Sequence, residues 1–147
     1  MRKKLKPDGF TLIELVVVMA IVSTLTALAT FNFNLARVRA RDIQRKSELK
    51  QIQNALEIFK NDQMPQTYPT SADFATALIP AYMAKLPVDP KEKATAGSWM
   101  DYTYSQVTAA TYTLEACLEN SGDPDRLIPA VVCGAGSAGY IYQLTQP

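Results

Sequence analysis

A chain of 147 residues with 48% hydrophobic content and a formal net charge of +1 allows one modest domain plus a helical extension. Overall charge gives no support to a main role in binding nucleic acid. It has no histidine and two cysteines, so the commonest general base is missing and a structural zinc site lacks ligands. No phosphate-cradling glycine loop or nucleophile elbow occurs; no residue is assigned a catalytic role, and the chain is expected not to be an enzyme.

The first nine residues carry Arg2, Lys3, Lys4 and Lys6 against Asp8, a net +3, which leaves the remainder at about −2. Residues 10–31 follow, with Glu14 as their only ionisable side chain. About 20 apolar residues suffice to cross a bilayer as a helix. A lone carboxylate in such a span costs roughly 2.5 to 3.5 kcal/mol near the helix centre, so it calls for a partner. A secretory signal also has a basic start, but its apolar region runs only about 7 to 15 residues and ends in a small-residue cleavage site. This run is longer, carries an acid near its start and continues into more helix. Arg37, Arg39, Arg41, Arg45 and Lys46 make the second flank basic as well. The first cluster is denser, which places the N-terminus in the cytoplasm and everything after Phe31 outside.

The run Lys6-Pro7-Asp8-Gly9-Phe10-Thr11-Leu12-Ile13-Glu14-Leu15 resembles the processing site of type IV prepilins and the related type II secretion pseudopilins. The resemblance implies that a membrane-embedded aspartyl peptidase cuts after Gly9 and methylates the new terminus at Phe10. It also implies that Glu14 pairs with the Phe10 ammonium of a neighbouring subunit, since two buried opposite charges are tolerable where either alone is not. The implied function is a structural subunit of a type IV pilus. Its implied partners are copies of itself, the prepilin peptidase and methylase, an assembly platform, minor pilins and, before assembly, the membrane. It would begin as a single-pass precursor in the inner or cytoplasmic membrane and end in an extracellular filament at the cell surface. The alternatives are the major pseudopilin of a type II secretion system and a single-pass anchored binding module. Many major pilins carry a proline well along the apolar segment; this chain has none.

No Pro or Gly occurs between Phe10 and Met64, so nothing stops a helix at the membrane surface. Leu49, Ile52, Leu56 and Phe59 recur at helical spacing, and Leu35 and Val38 keep a similar face upstream. One helix is expected over residues 11–61, roughly 75 Å long at 1.5 Å per residue. Thr24, Thr26, Thr30, Asn32 and Asn34 make residues 24–34 its weakest stretch. Asp62, Met64-Pro65 and Tyr68-Pro69 end it. A short helix is expected over 71–86, capped by Thr70 or Ser71 and interrupted at Pro80, before Leu86-Pro87-Val88-Asp89-Pro90 breaks regular structure.

Alternation then marks three strands: Tyr102 to Val107, Tyr112 to Leu118 with Ala109-Ala110 as the turn, and Gly139 to Leu144. Five tyrosines on them fit half-buried faces with wet hydroxyls, and Trp99 is a loop residue folding back on the core. The expected fold is α+β, a pilin-like lollipop. Its divisions are a leader at 1–9, a transmembrane or filament-core half-helix at 10–31, an amphipathic half at 32–61, a connecting loop with a short helix at 62–98, and a sheet with a disulfide-bounded C-terminal region at 99–147.

Cys117 and Cys133 lie outside the apolar span, 16 residues apart. In an exported domain such a pair is most simply a disulfide, worth about 3 kcal/mol for a loop of that length; free thiols or half a metal site are the alternatives. Type IV pilins often have a disulfide-bounded C-terminal region, so this feature leans toward the pilin. No cofactor is expected, with one weak exception. Glu119, Asp123 and Asp125 carry oxygens of the right hardness for calcium, and major pseudopilins use carboxylates in their C-terminal loop. Arg37, Arg41 and Arg45 stand at i, i+4 and i+8; Asp42, Glu48 and Glu57 are available to them, as are acidic patches of neighbours or lipid headgroups.

Overall fold

The computed structural model describes residues 9–146, and the side chains of all of these except 29–32. Residues 1–8 of the expected leader at 1–9 lie outside the described residues. The chain divides into two units, one ending at Arg37 and one beginning at Val38. α1 runs over Leu12–Asp62, 51 residues without a break, through the threonine- and asparagine-containing stretch that propensity marks as weakest.

In the first unit, every described side chain from Phe10 to Leu28 is exposed, and this helix is long and apolar enough to cross a membrane by length and composition. Its hydroxyls are satisfied locally. Ser23 donates to the Met19 carbonyl, Thr24 to Ile21 and Thr26 to Val22, all at 2.7–2.8 Å. Hydroxyls that bond back to the preceding turn cost little in lipid, where no water can do the job.

The second unit joins the rest of α1 to α2 (Phe74–Leu78), α3 (Pro90–Ala94) and four strands: β1 (Thr103–Thr108), β2 (Thr111–Leu118), β3 (Val131–Gly134) and β4 (Ser137–Thr145). The sheet order is β1-β2-β4-β3, with every neighbouring pair antiparallel. Pairing sets Tyr104 opposite Leu114, Leu114 opposite Leu144 and Ala116 opposite Tyr142. Leu114, Ala116 and Leu118 of β2 are buried, and Leu49, Ile52, Ala55 and Leu56 of α1 pack on them. The period-3.6 stripe of the helix therefore meets the period-2 face of the sheet, as the α+β reading requires.

Four expectations are corrected. β3 is a fourth strand that alternation did not reveal, because four residues are too few to show a period. The helix expected over 71–86 shrinks to five residues: Pro80 holds Ile79 extended, and the cap residue is Asp73, whose backbone N–H donates to the Thr70 hydroxyl. Asp89-Pro90 starts a helix instead of ending structure, with Asp89 accepting from the N–H groups of Lys91 and Glu92. Of the five strand tyrosines, Tyr102 and Tyr140 are half-buried as expected, but Tyr104, Tyr112 and Tyr142 sit deeper, in the core. Tyr104 donates its hydroxyl to the Pro69 carbonyl. Phe74 stacks on Tyr104, and Tyr112 meets Tyr68 edge-on.

Loops cover both outer edges of the sheet. Gln106 on β1 donates its N–H to the Ser71 hydroxyl and Tyr68 donates to the Ala109 carbonyl, while Met100 donates to the Cys133 carbonyl on β3. Covered edges do not template strand addition by another chain.

The Tyr112 hydroxyl is buried close to Gln53 and Glu57 but forms no hydrogen bond of good geometry among the described residues, and burial pushes its pKa up to about 12. Tyr112→Phe is therefore expected to leave stability equal or higher, whereas Leu114→Ala costs about 2 to 5 kcal/mol. Chemical denaturation of the detergent-solubilised protein measures both, and a Tyr112→Phe loss as large as that of Leu114→Ala would contradict the assignment.

Candidate processing and assembly site

Gly9 and Phe10 stand ahead of α1, and Phe10 is 77% exposed. Among the described residues, a Cβ built on Gly9 meets nothing within 4 Å. Thr11 caps the helix. Its carbonyl accepts the Leu15 N–H, and its hydroxyl accepts the Glu14 N–H, both at 3.3 Å. The Thr-x-x-Glu spacing is that of a capping box, and it holds Glu14 in the first turn, where the helix dipole favours negative charge. Glu14 is exposed, and none of the ion pairs among the described residues includes it.

The second unit holds a cluster of charge of which sequence reasoning offered only Asp42 as a partner for the arginines and missed Asp89 and Glu119. The Arg45 side chain is fully buried, with 0% exposure. Its Nε donates to Asp89 Oδ2 at 2.6 Å and its Nη1 to both Asp42 Oδ1 and Glu119 Oε1, at 2.7 and 2.8 Å. Asp42 in turn accepts the backbone N–H groups of Glu119 and Asn120, at 3.0 and 2.8 Å. Arg41 forks onto both oxygens of Glu119 at 2.7 Å. The basic face at i, i+4 thus finds its acids within the chain. Burial works to lower the Arg45 pKa, but the hydrogen bonds from Asp89 and Glu119 outweigh it and hold the guanidinium charged. Burial likewise works to raise the Glu119 pKa, and the two arginines overcome it, bringing it down to about 2. Asp89 was the readable signal: an aspartate before a proline is a helix start as readily as a break.

Cys117 of β2 and Cys133 of β3 form a disulfide with both residues buried. Trp99 packs on it and donates its indole N–H to the Cys117 carbonyl at 3.1 Å. The other side is closed by Gly139, where a Cβ would lie 2.5 Å from Cys133 Sγ and 2.7 Å from Cys117 Sγ. Inside the loop, Lys46 donates to Asp123 at 2.5 Å and to Asp125 at 2.7 Å, with the Tyr142 ring 5.1 Å below. The three carboxylates considered for calcium are thus divided. Asp123 and Asp125 share a lysine ammonium, and Glu119 goes to the two arginines. Among the described residues no group of three or more His, Cys, Asp and Glu side chains is arranged to hold a metal ion.

Residues 6–30 match the family described as the prokaryotic N-terminal methylation motif. The chain is similar to the type II secretion system core protein G of Escherichia coli strain K12, at 30% identity over 104 residues, covering 61% of this chain and 70% of that protein. No solved structure matches it.

Arg45→Met leaves Asp42 and Asp89 buried without their cation, and is expected to cost about 3 to 5 kcal/mol in denaturant melts. For Glu119, a carboxylate lowered in the folded state adds stability that is full above its ordinary pKa of 4.5 and is lost as pH falls toward about 2. The denaturation midpoint should therefore fall across that window, and this part of the fall should be absent in Glu119→Gln; an unchanged profile would remove Glu119 from the cluster's energetics.

Proposed function

The chain belongs to the family of type IV pilins and type II secretion pseudopilins, and on that premise we propose that it is a filament subunit made as a precursor, cut after Gly9, methylated at Phe10 and polymerised through its N-terminal helices. The observation that carries this reading is the capped, exposed Glu14 at the start of a helix whose next four turns are apolar on every side. Such a surface is stable only in lipid or among other helices. Cleavage would place a new ammonium at Phe10, one residue before the cap. The Phe10 ammonium of one subunit and the Glu14 carboxylate of the next would then neutralise each other inside a helical core. The open space around the Gly9 Cα among the described residues leaves the choice of glycine there to a peptidase.

Between the two kinds of filament, the reading adopted is a type IV pilus at the cell surface. The disulfide that closes the C-terminal region supports it, as does the loop whose paired aspartates are neutralised by Lys46. The second reading, a pseudopilus subunit of a type II secretion system, is favoured by the name of the Escherichia coli relative. Electron microscopy of material sheared from cells separates them. Abundant long filaments containing this chain support the pilus. Filaments seen only when a secretion machine is overproduced support the pseudopilus, and none under either condition leaves an anchored monomer.

Glu14→Ala is expected to leave cleavage intact but abolish normal filaments; abundant filaments from that variant would sink the pairing argument. Gly9→Val should accumulate uncut precursor, measured as the intact N-terminus by mass spectrometry, and normal processing would count against the peptidase assignment.

A further inference from the structure

In the second unit, residues 83–88 run beside α1 and leave an open groove of about 510 Å³. Met83, Leu86 and Val88 give it an apolar side, and Lys85 and Lys93 add two ammonium groups. Its carboxylate, Glu48, is already engaged: Gln44 donates to one oxygen at 2.8 Å and the Tyr102 hydroxyl to the other. Lys85 and Lys93 are exposed and enter none of the ion pairs among the described residues. The groove therefore suits a segment with an apolar side chain beside a free carboxylate.

The chain carries such a segment at the end of α1. Met64 is 100% exposed, an unusual state for a side chain whose flexibility and polarisability suit it to adaptable contacts. Asp62, two residues before it, is exposed with the Tyr82 hydroxyl beside it, and enters none of the ion pairs among the described residues. Asp62 is 14 residues beyond Glu48 on the same helix, which puts the turn about 21 Å along the axis from the groove. A subunit cannot fill its own groove, but a second copy displaced along the axis can. Turn and groove are different surfaces, so the contact is head-to-tail, and a head-to-tail contact that does not close builds an open filament.

We infer that the groove beside residues 83–88 receives the 62–64 turn of a second copy, with Met64 on Met83, Leu86 and Val88, and Asp62 facing Lys85 and Lys93. This rests on the filament reading and adds to it a contact between the globular units, independent of the N-terminal helices.

Full-length chains bearing Met64→Cys and Val88→Cys separately are co-expressed, and the sheared filaments are oxidised and run on a denaturing gel. The native thiols are joined in the buried disulfide, so the introduced cysteines are the reactive ones. Because each chain carries one new cysteine, a mixed dimer reports a contact between copies. The control pair is Met64→Cys with Val107→Cys, a site on β1 that is also exposed. The expected result is a mixed dimer from the first pair, several-fold above the control. Normal filaments with no such dimer, or with equal dimer in the control, would overturn the contact and leave the filament reading standing. No filaments from the unsubstituted chain under any condition would overturn the filament reading, and this contact with it.

Discussion

The Arg45 guanidinium is the constraint around which the second unit is organised. It is buried and meets acids from three places: Asp42 on its own helix, Asp89 at the start of α3 and Glu119 just after β2. A buried charge left unpaired costs several kcal/mol, so none of the three elements can shift without exposing or orphaning an ion. The acids also act on the backbone. Asp42 accepts the N–H groups where the chain leaves β2, and Asp89 caps α3. One cation thereby sets the register of helix, loop and sheet together. An ion pair of this kind contributes more to specifying one arrangement than to net stability, because desolvation offsets much of its attraction.

Around that centre the remaining interactions are local. The apolar stripe of α1 lies on β2, the disulfide ties β2 to β3, and Trp99 covers the bridge while facing Arg45 and Lys91. Lys46, one residue after Arg45, secures the loop that the disulfide closes. Adjacent residues of one helix thus hold Glu119, Asp123 and Asp125 in the first part of that loop. With both sheet edges covered, this unit has helix faces, grooves and loops to offer another copy, and not strands.

The division of labour follows the hydrophobic pattern. Among the described residues, the first unit has an apolar surface with nothing of its own to cover it, and carries a single carboxylate, Glu14, at its capped start. The second completes its own core and pairs its buried charges internally. A surface without internal partners is suited to assembly, and one with them is suited to persistence outside the cell.

Much of this was legible in order. The apolar span with Glu14 as its odd carboxylate, the unbroken helix and the buried positions Leu49, Ile52 and Leu56 follow from charge, length and period, which are properties of neighbouring residues, whereas the Gly9-Phe10 junction came from resemblance alone. The pairing of the only two cysteines needed no geometry. By contrast, Arg41 and Arg45 read as a basic helix face, and Glu119, Asp123 and Asp125 read as a candidate calcium loop; each was half of an arrangement whose other half lay 74 to 79 residues away. β3 was too short for periodicity, and α3 was hidden behind two prolines. By itself the sequence determined where the membrane segment lies, what its odd carboxylate is next to, and which helix face seeks a core, because those depend on spacing along the chain. Only the tertiary structure decided which charges meet, since attraction between ions depends on distance and dielectric after folding, and neither can be read from the order of residues.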